Sequence, residues 1–81
     1  MKELYNNNNI IITLLSDNYY MVQAPYAILK GYYKRINAHA YKIRLDYWKD
    51  GKTNRLKSEK NKLFNHTRDW FAYILQDKIG I

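Results

Sequence analysis

With 81 residues and no cysteine, the chain makes one domain at most, and disulfide staples and thiolate metal sites are excluded. No run approaches about 18 consecutive apolar residues, which excludes a membrane-spanning helix. The opening MKELYNNNN lacks the basic-then-apolar order of a secretion signal, and with a net charge of +7 the reading is a soluble protein of the cytoplasm, inside a host cell.

Residues 1–9 read as a flexible lead-in, because Asn6 to Asn9 is low-complexity and has no apolar face to bury. A single domain is expected over 10–81. Its first element is a β-branched strand, Ile10 to Leu15, followed by the turn cluster Ser16-Asp17-Asn18. Tyr19 to Gln23 returns, making a hairpin around Asp17-Asn18. A helix running through this stretch competes, since short apolar runs are ambiguous by period.

Pro25 sits where a helix would begin. The segment PYAILKGYYKRINAHA places Leu29, Tyr32, Tyr33 and Ile36 on one helical face. Lys30, Lys34 and Arg35 fall away from that stripe. Gly31 opposes the reading, at a cost of about 1 kcal/mol in a helix interior.

The strongest local signal is YKIRLDYW. Tyr41, Ile43, Leu45 and Tyr47 alternate with Lys42, Arg44, Asp46 and Trp48, the period of a half-buried strand. Asp50-Gly51 predicts a two-residue hairpin turn, or a four-residue loop of the same parity, into a second basic strand. That register sets Asp46 opposite Arg55, Lys42 opposite Glu59 and Leu45 opposite Leu56, two ion pairs and an apolar pair. The last segment reads as an amphipathic helix. Leu63, Thr67, Trp70, Ile74 and Lys78 share one side, widened by Phe64, Phe71 and Leu75. Asn61 or Thr67 would cap its start and Gly80 its end. The predicted fold is a small α+β domain in ββαββα order, an antiparallel sheet of two hairpins packed by the C-terminal helix.

Asn, Lys, Ile and Tyr number 9, 10, 9 and 9, together 37 of the 81 residues. All four use A/T-rich codons, which points to an AT-rich bacterium, archaeon, phage or virus and weakens any argument from lysine abundance alone. Codon usage does not explain how charge is sorted. Lys30 to Lys62 holds eleven basic and three acidic residues, +8; the remainder holds three basic and four acidic, −1. A basic half is the footprint of a nucleic-acid partner or an anionic surface.

Enzymatic signals are weak. His39 and His66 have no companion ligands at metal-binding spacing, the three glycines are isolated, and no Ser, His and Asp cluster suggests a nucleophile relay. No cofactor is expected. The expected site is instead the basic ribbon: Lys42, Arg44, Trp48, Lys49, Lys52, Asn54, Arg55 and Lys57, continued by Lys60 and Lys62, with Lys30, Lys34 and Arg35 joining it where the helix from Pro25 packs alongside. Arg44 and Lys57 would be like-charged neighbours across the ribbon, a cost that a polyanion would relieve. Trp48 would stack on a base or sugar. Arg44, Asn54, Arg55 and Asn37 are the residue types that read base edges.

The succession of strand, Asp-Gly turn, basic strand and Phe64-x-x-Thr67 before a helix with Trp70 resembles the arm-type DNA-binding domain of phage tyrosine recombinases. That resemblance implies a sheet laid against DNA. The helix at 25–38 departs from the family's order, and no residue's role is carried over. The first functional reading is therefore a small basic nucleic-acid-binding protein of a phage, virus or other mobile element, contacting DNA or RNA phosphates. The second is a phage-encoded, anti-CRISPR-like inhibitor that docks on a host nucleoprotein complex by protein contact, which a tyrosine-rich surface suits. Exposed strand edges would let either form a homodimer.

Overall fold

The computed structural model describes residues 1–7, 9–51 and 57–81, the side chains of residues 57–62 aside. Five strands come first: β1 (Lys2–Asn7), β2 (Ile10–Ser16), β3 (Tyr19–Ala24), β4 (Ala27–Asn37) and β5 (Ala40–Asp50). One helix, α1 (Lys57–Ile79), follows. The strands form a single antiparallel meander in the order β1-β2-β3-β4-β5. The α+β class stands, but the order is strands then helix, not ββαββα.

The hairpin of β2 and β3 turns at Asp17-Asn18, where Asn18 takes a positive φ of 56°, a conformation Asn tolerates better than most residues. The expected helix over 25–38 is instead β4. Pro25 and Tyr26 occupy the two-residue turn between Ala24 and Ala27, where Pro fits because its φ is preset. Beyond it Leu29, Gly31 and Tyr33 are buried, while Lys30, Tyr32 and Lys34 point the other way. The segment thus carries a strand period as well as a helical one, and strand pairing on both sides decided between them. Lys2–Asn7, expected to be a loose lead-in, pairs with β2 as an edge strand.

The expected partner of β5 is also corrected. β5 pairs with β4 through a turn at Ala38-His39, with His39 donating its backbone N–H to Asn37 Oδ1 at 2.8 Å. Residues 57–60, expected in the returning ribbon strand, are helical instead. Lys57 and Glu59 belong to α1, while Arg55 and Leu56 lie outside the described residues. With Lys57 to Lys60 in α1, the second basic strand of the recombinase resemblance is not formed over those residues.

One face of the sheet and the inner stripe of α1 make the core. Ile12, Tyr20, Val22, Leu29, Tyr33 and Leu45 pack against Phe71, Ala72, Ile74 and Leu75. The buried stripe of α1 runs through 71, 72, 74 and 75, with Ile79 partly buried, while Trp70 and Lys78, expected on the apolar side, are exposed. The helix begins before either expected cap and ends at Gly80, whose φ of 69° is the left-handed stop that glycine favours. The Tyr33 hydroxyl donates to the Ile81 carbonyl at 2.7 Å and accepts from Gln76 Nε2 at 3.1 Å, tying the end of the helix to the sheet. The backbone contacts of α1 with the sheet are chiefly with the edge strands β5 and β1. Among the described residues, no helix is long and apolar enough to cross a membrane.

Candidate nucleic-acid interface

The parity of β5 changes part-way along. Lys30 pairs with Tyr47 and Gly31 pairs with Leu45, leaving Asp46 as an extra residue. This bulge forms where Gly31 presents no Cβ; one built there would lie 2.4 Å from the Arg44 carbonyl oxygen. On the N-terminal side of the bulge Ile43 and Leu45 face the helix, as expected. On its C-terminal side the faces exchange. Trp48 turns toward the core beside Leu29, lining a cleft with His66, Thr67 and Trp70, and Tyr47 turns outward. Trp48 is therefore removed from the expected basic face, and Tyr47 from the expected core.

The outward face of β4 and β5 is built from four cross-strand rungs: Lys34 with Lys42, Tyr32 with Arg44, Lys30 with Tyr47, and Ile28 with Lys49. Successive rungs lie about 6.8 Å apart at two residues of strand rise. Every rung holds a cation, and two hold a tyrosine. Tyr19 on β3 pairs with Tyr32 and extends the aromatic row inward. No described element packs over this face.

Lys34 and Lys42 stand directly opposite each other, both exposed. Like charges in that position destabilise a strand pair. The cross-strand pair expected between Arg44 and Lys57 does not form, because Lys57 belongs to α1; the opposed lysines join β4 to β5 instead. Arg44 is already engaged. Its Nε donates to Asp46 Oδ1 at 2.7 Å and its Nη2 to Asp46 Oδ2 at 3.1 Å, while the guanidinium lies 5.7 Å from the Tyr32 ring centroid. The Arg44 hydrogen bond holds the Asp46 carboxyl below the usual carboxylate range. The Tyr19 phenol is pushed up, first by partial burial and then by the neighbouring Asp46 carboxylate. Lys30 Nζ sits 5.1 Å from the Tyr47 ring centroid.

Of the expected site residues, Lys34, Lys42, Arg44 and Lys49 come together on this face. Arg35 lies on the helix side, with its guanidinium 3.4 Å from the Ile81 carbonyl oxygen and 5.5 Å from the Tyr41 ring centroid. Lys57, Lys60 and Lys62 fall in the first turns of α1, away from any ribbon. Lys52, Asn54 and Arg55 lie outside the described residues. Lys30, expected to join the patch with Lys34 and Arg35, also lies on this face. Sequence reasoning missed Tyr19, Tyr32 and Tyr47 as members of it. The alternation Leu29-Lys30-Gly31-Tyr32-Tyr33-Lys34 was the signal that could have found Tyr32. Among the described residues, no group of three or more His, Asp or Glu side chains is placed to hold a metal ion. Comparison with protein-family models, curated proteins and solved structures finds no match to this chain.

Proposed function

We propose that the chain is a small nucleic-acid-binding module that takes up phosphates along the outward face of β4 and β5. One observation carries this reading: the directly opposed Lys34 and Lys42 continue into Arg44, Lys30 and Lys49 on an uncovered face, where the Asp46 carboxylate pairs with Arg44. A fold gains nothing by facing two lysines against each other, and a polyanion removes that repulsion. Cationic side chains spaced along a strand also match a ligand with regularly repeating charge.

The test is copurification from the native host with and without nuclease, followed by titration of the purified protein with nucleic acid over a range of salt. Nucleic acid that leaves on nuclease treatment, and an affinity that falls steeply with ionic strength, support the reading. A stoichiometric protein retained after nuclease, with binding little affected by salt, would replace it with an inhibitor that docks on a host complex.

A further inference from the structure

Resting on that reading, we infer that the ligand is a single strand, held without regard to sequence, with Tyr47 as a base-stacking platform and the lysines of three of the four rungs on its phosphates.

Reach argues first. A flexible single strand can follow the face and meet each rung. The rungs from Ile28 to Lys34 span about 20 Å, the reach of a few nucleotides of extended chain.

Among the described residues of the sheet, those that could read duplex grooves are otherwise committed. Arg44 is tied by two hydrogen bonds to Asp46, Asn37 Oδ1 accepts from the His39 backbone, and Arg35 reaches the Ile81 carbonyl on the far side. The other described cations of the outward face are lysines, which contact phosphates as point charges and do not fork onto base edges.

Stacking supplies what groove reading does not. Tyr47 is 42% exposed and shares a rung with Lys30, whose ammonium covers it. That exposed cation–π contact is worth about 0.5–1 kcal/mol, against about 1–3 kcal/mol for a base on an aromatic ring. A base therefore displaces Lys30 from the ring, and the lysine moves to the adjoining phosphate. The Arg44 guanidinium, fixed by Asp46, offers a second planar surface beside it.

The experiment uses the full chain and fluorescence anisotropy with two labelled probes, a thymidine oligomer of about 12 nucleotides and a duplex of equal length. At matched low salt the single strand is expected to bind at least about ten-fold tighter, with Tyr47→Ala costing about ten-fold and Tyr47→Phe under about two-fold. Circular dichroism of both variants checks that they fold. A duplex that binds as tightly as the single strand, or a Tyr47→Ala variant with unchanged affinity, overturns the inference. If Lys34→Glu with Lys42→Glu still abolishes binding in that case, the nucleic-acid reading stands alone. Failure of both probes to bind overturns the two together.

Discussion

Gly31 lies beneath the Phe71 ring, and a Cβ placed on it would come within 3.1 Å of the ring's Cε2 and 2.4 Å of the Arg44 carbonyl oxygen. The glycine lets β5 bulge toward β4 and lets α1 seat on the sheet. Gly31→Ala is therefore expected to destabilise the fold by about 1–3 kcal/mol through overpacking. Each kcal/mol lowers Tm by about 4–8 °C in a domain of this size. An unchanged thermal midpoint would mean that the bulge and helix are not where they are described.

Lys34→Glu separates stability from binding. It converts the Lys34–Lys42 repulsion into an ion pair, expected to stabilise the strand pair by about 0.2–1 kcal/mol. The same change removes two units of positive charge from the proposed phosphate track and should weaken polyanion binding. Thermal unfolding and anisotropy on one sample measure both. Effects of the same sign would show that the opposed lysines do not serve a ligand.

Asp46→Asn unties Arg44 and removes the carboxylate from the face. Binding should tighten, with the log–log salt slope steeper by about 0.7–0.9 for one added phosphate contact. The linkage sign follows from the lowered Asp46 pKa, which Arg44 causes. The ion pair's contribution to stability is present above the ordinary carboxylate range and lost as pH falls through the lowered folded value. Both partners are exposed, so that contribution is small. Acid titration of the wild type should show a slight loss of stability that Asp46→Asn lacks, measured by chemical unfolding at several pH values.

Core substitutions calibrate the packing. Leu29 is fully buried between the sheet and α1, and Leu29→Ala should cost about 2–5 kcal/mol. Set against a total of about 4–12 kcal/mol for a chain this long, the larger value approaches unfolding. Leu45, 6% exposed, should not accept a carboxylate at all: Leu45→Asp is expected to leave no cooperative unfolding transition. A normally folded Leu45→Asp protein would mean that the two faces of β5 are exchanged.

Some of this structure is written locally. The β2–β3 hairpin follows from a β-branched run, an Asp-Asn turn and a second run. The stop of α1 follows from Gly80, and the burial of Ile43 and Leu45 from strict alternation. Each depends on neighbours within a few residues, where propensity and turn chemistry act. The misreading of β4 has a specific origin. Leu29, Tyr32, Tyr33 and Ile36 satisfy a helical stripe while Leu29, Gly31 and Tyr33 satisfy a strand, and Gly31 in mid-segment was the mark against the helix. Asp50-Gly51 invited a hairpin by its chemistry. Gly51 instead donates its N–H to the Tyr26 carbonyl at 2.9 Å, holding the end of β5 against the β3–β4 turn.

Residue types and their order determined that the chain carries strands, a closing helix and a positively charged middle. The folded arrangement alone decided which strand β5 joins and which of its side chains meet solvent. Side chains alternate at every residue, so one extra residue at Asp46 exchanges the faces of all that follow. That extra residue is set by how closely two backbones approach at Gly31, a contact between strands that no window of sequence contains.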